Sequence, residues 1–280
     1  MARRGRRVAV IVVVVALLGG GAYWGLHSLW KKAKDVLAYP HCSFTIGTGQ
    51  DATSTDIDTD QASVAATLVG VVSTRELPDH AAFLLLMAAW QESGLRNLPG
   101  GDRDSVGVLQ QRPSQGWGTV DQLSDLHYAA SKFLEALLKH DDWKTADPAA
   151  AIDAVQISAS TEAYNQHKAE AQVLAEVLLG NVPAGLTCEF DPPTVVATPA
   201  AVIEQLQTDL PVNPPRAVGS TVTVPGAGWQ TAMWFVANAD RLGIDRVSYA
   251  KRTWSRAAQW TDDPAASTAS VTAALAVLKK

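Results

Sequence analysis

The stretch AAFLLLMAAWQESG, at residues 81–94, decides the fold that the sequence predicts. Its first ten residues are all apolar. A helix that is apolar on every face is usually the central, buried helix of its domain. Pro78 and Asp79 precede the run and suit the first turn of such a helix, which we expect to span residues 79–97. This helix delivers Glu92 to the start of a polar, glycine-rich segment.

The sequence around this helix is also predicted to be helical. Apolar side chains recur at helical spacing, for example at Leu134 and Leu138, whereas residues 98–118 are rich in Gly, Pro and Asp and predict a loop. No strand-like alternation is visible between residues 61 and 180. We therefore predict a mainly α domain over residues 61–185. Its further helices are expected at residues 61–75, 121–140, 147–157 and 161–180.

The regions that flank this domain predict a tether, a linker and a second domain. Residues 31–60 predict a tether, because from residue 43 onward they are rich in Thr, Ser, Asp and Gly. Residues 186–217 are punctuated by proline and predict a linker, with one possible helix at 199–209. Residues 218–280 predict a small α+β domain. Its strands are expected at 220–224 and 246–249, and its helix at 230–242.

The N-terminus predicts a membrane anchor. Residues 8–30 contain no Asp, Glu, Lys or Arg. A helix of about 20 apolar residues is enough to span a bilayer. Four arginines lie in residues 1–7 and three lysines follow the apolar run, which favours a cytoplasmic basic tail and an extracellular body. The alternative is a cleaved signal peptide whose apolar core lies at residues 8–18.

The charge balance argues against nucleic acid as a partner. The first 34 residues contain seven basic residues and no acid. Without these seven charges, the formal net charge of −5 becomes −12 for the rest of the chain. Nucleic-acid phosphates need a basic protein surface, and the body of this chain is acidic.

The two cysteines, Cys42 and Cys188, flank the central region of the chain. In an exported protein, a lone pair of this kind most often forms a disulfide. In a cytosolic protein, the same pair would more simply be two unrelated thiols. Because an anchor is predicted immediately before Cys42, we expect the disulfide.

Glu92 is the strongest candidate for acid–base chemistry. It lies at the end of the apolar helix, where the polar loop begins. We therefore expect its carboxyl group to be desolvated on one side and to face a cleft on the other. Desolvation raises the pKa of a carboxyl group, as a general acid requires near neutral pH. The alternative is an ordinary surface glutamate at a helix end.

Three short motifs, in order along the chain, resemble those of lytic transglycosylases and goose-type lysozymes. The first is the Glu-Ser pair that these families place at a helix end, and the second is similar to their Gly-Leu-Met-Gln-like segment. The third is similar to their Ala-Tyr-Asn motif. In this sequence the motifs are Glu92-Ser93, Ser105-x-Gly107-x-x-Gln110 and Ala163-Tyr164-Asn165.

The resemblance extends beyond the motifs, covering roughly residues 60–185 in all. The segment at residues 101–118 is similar to an actinobacterial group of membrane-anchored lysozyme-like proteins, and the tail from Gly228 to Trp254 resembles a small domain that follows such modules. The resemblance implies a lysozyme-like domain at residues 61–185, held at the membrane by the N-terminal helix, with peptidoglycan glycan strands as its partner. It implies no cofactor.

The resemblance also assigns roles to residues. It implies that Glu92 protonates the glycosidic oxygen and later acts as a base, while Ser93 orients Glu92. In lytic transglycosylases the 6-hydroxyl of the sugar closes an anhydro ring, so a second carboxylate is not needed. The remaining residues are expected to line the sugar cleft, with Tyr164 bonded near Glu92 or the substrate. They are Gly107, Gln110, Gln111, Tyr164 and Asn165.

Two departures from the family pattern keep a second function open. Val108-Leu109-Gln110 lacks the usual Met before Gln, and His167 occupies the position of a glycine in the third motif. The alternative is a non-catalytic protein that binds the cell wall or acts as a scaffold.

The loop also offers a second carboxylate, Asp102 or Asp104, which an inverting hydrolase would need to activate water. The simpler interpretation is that these aspartates cap a turn and pair with Arg103 or Arg112. Trp117 could stack on a sugar or pack under the loop. The histidines show no metal-ligand spacing, so no metal site is predicted.

Overall fold

The computed structural model describes residues 40–156 and 161–278. Residues from Pro40 onward group into one compact unit. The predicted basic tail at residues 1–7 and the predicted anchor at residues 8–30 lie outside the described residues. Among the residues that the structure does describe, no helix has both the length and the apolar character needed to cross a bilayer.

The helices lie mainly between residues 59 and 178, with a second group after residue 199. Short 3₁₀ segments occupy Gly49–Asp51, Pro113–Gln115 and Thr161–His167. The α-helices are α1 (Thr59–Thr74), α2 (Asp79–Ser93), α3 (Val120–Leu123), α4 (Leu126–Leu137), α5 (Pro148–Gln156), α6 (Lys168–Leu178), α7 (Pro199–Asp209), α8 (Trp229–Ala237) and α9 (Ala239–Leu242).

The strands of the described chain form two antiparallel sheets. The first has the order β2-β1-β3 and the second the order β4-β5-β9-β6-β7-β8. The strands are β1 (His41–Ile46), β2 (Thr53–Asp58), β3 (Leu186–Glu189), β4 (Arg216–Val218), β5 (Thr221–Pro225), β6 (Ile244–Tyr249), β7 (Arg252–Ser255), β8 (Ala258–Asp262) and β9 (Ser270–Leu275).

The prediction of a mainly α lysozyme-like domain after a transmembrane helix, followed by a small α+β domain, is therefore wrong as a fold class. The described chain is α+β throughout, and a sheet frames the helical region itself. Strand β1 pairs with β2 and with β3, and it places Cys42 and Phe44 in the core. This sheet was missed because β3 joins β1 from the far end of the helical region.

The segments predicted as tether and linker are structured. Where residues 43–60 predict a polar tether, strand β2 follows β1 and Asp58 then caps α1. Where residues 186–217 predict a linker, β3, α7 and β4 are found. Helix α7 buries Val202 and Leu206 against α1, so the proline-rich segment contributes to the core.

The predicted disulfide between Cys42 and Cys188 is confirmed. The two cysteines face each other directly across the β1–β3 pair. The bond closes a loop with a sequence separation of 146. In the chain-entropy account, closing a loop of this length stabilises the folded state by about 4–5 kcal/mol. The disulfide therefore joins the two ends of the helical region.

Helix α8 joins the helices to the second sheet. Seven of its nine residues are buried, and it packs against α1 and α6 on one side and β6 on the other. Trp234 and Trp254 are also fully buried. Both tryptophans therefore belong to the core.

A buried carboxylate, Asp209, ties four helices together. Its side chain is 0% exposed. It accepts hydrogen bonds from His127 (2.9 Å), Trp234 (2.8 Å), Gln205 (2.9 Å) and Thr67 (3.2 Å). These donors come from α4, α8, α7 and α1. Desolvation alone would raise the pKa of Asp209, but the hydrogen bonds from His127, Trp234 and Gln205 outweigh it and lower the pKa.

We expect Asp209→Asn to lower the free energy of unfolding by about 1.5–3 kcal/mol, the value of hydrogen bonds to a charged group. Urea unfolding measures this change. Asp262→Asn is the matched control, because the side chain of Asp262 is 94% exposed. An Asp209→Asn protein as stable as the control would contradict the structural role of this carboxylate.

The stabilisation of the fold by Asp209 and His127 should be greatest within a limited range of pH. The pKa of Asp209 is lowered, so its stabilisation is present above the ordinary value of 3.8 and is lost as pH falls through the lower, folded-state value. The pKa of His127 is raised by Asp209, so its stabilisation is present below the ordinary value of 6.5 and is lost as pH rises through the folded-state value. The difference in the free energy of unfolding between wild type and Asp209→Asn should therefore be largest between pH 3.8 and pH 6.5.

Candidate active site

Helix α2 ends at the centre of the candidate site because Gly94 adopts a left-handed conformation, with φ of 63°. The N–H groups of Gly94 and Leu95 return to the carbonyls of Trp90 and Ala89. Helix α1 also holds this end in place, because the side-chain amide of Gln61 donates to the backbone carbonyl of Gly94 at 2.7 Å. The last turn of α2 is therefore held at a fixed place.

Glu92 lies in this last turn and is half-buried. The hydroxyl of Tyr164 donates to Oε1 of Glu92 at 2.6 Å. Tyr164 is itself fully buried and belongs to the 3₁₀ segment Thr161–His167. The resemblance implied that Tyr164 bonds near Glu92 or near the substrate, and the structure brings Tyr164 and Glu92 together across 72 residues of chain.

Burial dominates the electrostatics of Glu92. Desolvation raises the pKa of its carboxyl group, and the hydrogen bonds from Tyr164 and Gln156 lower it by less. The net result is a raised pKa. Gln156, at the end of α5, also donates to the carbonyl of Leu109 at 2.9 Å. Sequence reasoning missed Gln156, because it belongs to no motif and lies 64 positions beyond Glu92 in the chain.

Ser93 has a structural role that differs from the predicted one. Its hydroxyl lies 3.1 Å from the carbonyl of Ala89 and 2.8 Å from the carbonyl of Val108, and it accepts the N–H of Arg96 at 3.1 Å. These contacts join the helix end to the following loop. Among the described residues, the side chain of Ser93 makes no hydrogen bond to Glu92, so it positions the loop rather than the acid.

Gly107 is buried inside that loop and does not present a surface to a ligand. Its φ is 81°, and a β-carbon at this position would lie 2.2 Å from the carbonyl oxygen of Leu123. Its N–H donates to the carbonyl of Leu98 at 2.8 Å. The glycine of the second motif is therefore required by the close approach of two loop segments.

The two glutamines of the second motif are also engaged within the protein. Gln110 accepts from the hydroxyl of Ser105 at 2.9 Å and donates to the carbonyl of Gly107 at 2.9 Å. Gln111 is buried and donates to the carbonyl of Ala129 at 3.2 Å. Both side chains hold the loop in shape, whereas the resemblance implied that they contact sugar.

The two loop aspartates differ in their surroundings. Asp104 is bonded to the guanidinium of Arg112 at 2.8 Å and to the N–H of Ser114 at 2.7 Å, and these contacts hold the pKa of its carboxyl group well below the usual range. Asp102 has a 91% exposed side chain and lies 3.8 Å from the guanidinium of Arg103. Both aspartates have the arginine partners that the simpler interpretation assigned to them.

Trp117 and Asn165 lie at the edges of the candidate site. Trp117 is half-buried and packs on the core, and its carbonyl accepts from the hydroxyl of Tyr128 at 3.2 Å. Asn165 is exposed and donates to Glu162 at 3.0 Å within its own 3₁₀ segment. Neither side chain has a contact with Glu92 among the described residues.

His167, where the family pattern has glycine, stacks on the ring of Trp90 with centroids 5.9 Å apart. Next to this pair, Gln166 donates to Gln91 at 2.9 Å. These contacts dock the 3₁₀ segment onto α2 through the two residues that precede Glu92. The departure from the motif therefore has a packing role, which the motif comparison could not indicate.

Comparison with known proteins does not assign a family: no protein-family model and no curated protein matches this chain. Within the described residues, no group of three or more His, Cys, Asp or Glu side chains is placed to hold a metal ion.

Gly107→Ala should destabilise the protein by about 1–3 kcal/mol, the usual cost of a strained left-handed backbone. Thermal unfolding measures this change. Gly100→Ala is the control, because a β-carbon at Gly100 meets nothing within 4 Å. If the two variants unfold at the same temperature, Gly107 is not a packing constraint.

Proposed function

We propose that this chain cleaves the glycan strands of peptidoglycan, with Glu92 as general acid and then general base. One observation carries the proposal: a half-buried carboxyl group with a raised pKa is held by the hydroxyl of Tyr164 at 2.6 Å. A general acid must keep its proton near neutral pH and must have it within reach of the substrate. The resemblance of three ordered motifs supports the same reaction.

The hydrogen bond from Tyr164 decides which oxygen carries the proton. Oε1 of Glu92 accepts the Tyr164 hydroxyl, so the proton of the neutral carboxyl group resides on Oε2. Oε2 then donates this proton to the glycosidic oxygen as the bond to the sugar breaks. The negative charge that forms on Glu92 is stabilised by Tyr164 and by the amide of Gln156.

The second half of the reaction is proposed to follow the lytic route. The 6-hydroxyl of the N-acetylmuramic acid attacks the anomeric carbon, and the carboxylate of Glu92 accepts its proton. This route needs one carboxylate. The engagement of Asp104 by Arg112 and Ser114 favours it over an inverting hydrolysis, because Asp104 is held by three hydrogen bonds within the loop.

The proposed setting is the outer face of a membrane, with residues 8–30 as a single-pass anchor and the body extracellular. The disulfide between Cys42 and Cys188 supports export, since disulfides persist in oxidising compartments. The four arginines before the apolar run, against three lysines after it, favour this orientation.

Glu92→Gln in the full-length chain should reduce the release of soluble muropeptides from purified cell wall by a factor of about 10²–10⁴, the usual contribution of a general acid. Glutamine keeps the size of the side chain and removes the transferable proton. Glu204→Gln, on the exposed face of α7, is the matched control and should retain wild-type activity.

The products and a binding assay decide between the alternatives. Anhydro-sugar ends among the products indicate the lytic route, whereas reducing ends indicate hydrolysis. Equal release by wild type and Glu92→Gln, above a control without protein, would remove Glu92 from the mechanism. A wild-type protein that sediments with insoluble wall and releases no muropeptides would favour the non-catalytic, wall-binding function.

Tyr164→Phe should move the alkaline limb of the pH–activity profile to higher pH. The Tyr164 hydroxyl lowers the pKa of Glu92, so its removal raises that pKa further. Because the protonated form of Glu92 is the active acid, the higher pKa extends activity upward in pH. Digestion rates across a pH series measure the limb. An unchanged or lower limb would contradict the proposed contact.

A further inference from the structure

A cavity lies away from Glu92, where three segments meet at the start of helix α8. Its volume is about 440 Å³, and its lining comes from residues 179–180, 210–213 and 226–231. None of the lining residues carries a charged side chain. The walls combine aliphatic side chains with amide and hydroxyl groups, so the cavity suits a small organic ligand with polar ends.

The start of helix α8 provides hydrogen-bond donors to this cavity. The helix is nine residues long, and its N-cap, Gly228, has no side chain that could accept from the first turn. The backbone N–H groups of Trp229, Gln230 and Thr231 donate to no acceptor within residues 40–156 and 161–278. Such a set of N–H groups, at the positive end of a helix dipole, favours a negatively charged ligand.

Thr231 is an independent sign of a ligand. Its side chain lines the cavity and is 4% exposed, yet its hydroxyl makes no hydrogen bond to any described residue. An oxygen of a ligand bound in the cavity would accept a hydrogen bond from it. Gly180 leaves the adjoining amide uncovered, because a β-carbon there would lie 2.4 Å from the nitrogen of Gln230.

The composition of the walls selects the chemistry of the ligand. Phosphate sites usually recruit Arg or Lys, and this cavity has neither. A carboxylate carries a single charge, which backbone N–H groups and one hydroxyl can satisfy. The remaining volume lies beside small aliphatic walls. These are formed by Leu179, Leu210, Pro211, Val212 and Ala227.

We propose that this cavity binds the C-terminal carboxylate of a short, uncharged peptide. The carboxylate lies on the N–H groups of residues 229–231 and on the Thr231 hydroxyl, and small side chains of the peptide contact the aliphatic walls. Asn213 and Gln230 accept from the peptide through their carbonyl oxygens, because their NH₂ groups are bonded to Pro225 and Ser73. Binding here does not involve Glu92.

Isothermal titration calorimetry on the full-length chain tests the ligand class with three probes: N-acetyl-Ala-Ala with a free carboxylate, its C-terminal amide, and inorganic phosphate. The free carboxylate should bind at least about tenfold more tightly than either of the others. Equal affinity for the amide would overturn the role of the carboxylate. Phosphate binding as tight as the peptide would overturn the assignment to a peptide.

Two variants at Gly228 test the site without disturbing the fold. A β-carbon at Gly228 meets only the Tyr249 hydroxyl, at 3.9 Å, so both variants fit. In Gly228→Asp the new carboxylate caps the helix and occupies the site, so peptide affinity should fall by at least about tenfold while the melting temperature is equal or higher. Gly228→Ala adds no acceptor and should keep its affinity within about twofold.

Peptide binding by Gly228→Asp at wild-type affinity would overturn the proposal. Thr231→Val removes the hydroxyl at nearly constant volume, and it should weaken binding by about fivefold, the value of one hydrogen bond. Wild-type affinity in Thr231→Val would remove its hydroxyl from the site. Glu92→Gln should bind the peptide normally, so failure of this site and failure of the glycan reaction are distinguishable.

Discussion

The structure depends on the burial of helix α2 on every side. Nine consecutive residues from Ala81 to Ala89 are buried, so the helix can only lie at the centre of the fold. Its end is therefore the first place where the chain can expose a polar side chain. Gly94 turns the chain at that point, and Glu92 is left with one side against the core and the other toward solvent. The raised pKa of Glu92 follows from this constraint.

The sequence singled out Glu92 as the candidate acid, and the structure shows that several of its predicted neighbours form hydrogen bonds within the protein. Glu92 and Tyr164 meet as the motifs indicated. Ser93, Gly107 and Gln110 were expected to orient the acid or to line a sugar cleft, yet each is engaged in holding the loop. A motif identifies residues that occur together. It does not show whether their hydrogen bonds point to a ligand or into the protein.

The strands at the edges of the helical region could not be predicted from local pattern. Strand β1 is stabilised by β3, which lies beyond the whole helical region and is linked to it through Cys42 and Cys188. A local sequence pattern of ten or twenty residues cannot indicate pairing between strands this far apart in the chain. For these strands the cysteines were the one long-range signal in the sequence, and the structure confirms their pairing. The proline-rich segment was misread for a similar reason, because Asp209 gains three of its four partners from distant helices.

Glu92 and Asp209 show how the same desolvation leads to opposite results. Burial raises the pKa of both carboxyl groups, so the difference lies in the donors that surround each. Asp209 has four donors, one of them a histidine whose own pKa is raised by the contact, and the pKa of Asp209 is lowered. Glu92 has the neutral donors Tyr164 and Gln156, which do not outweigh burial. A desolvated carboxyl group with few hydrogen-bond donors can exchange a proton. A desolvated carboxyl group with many donors remains an anion, and here it holds helices together.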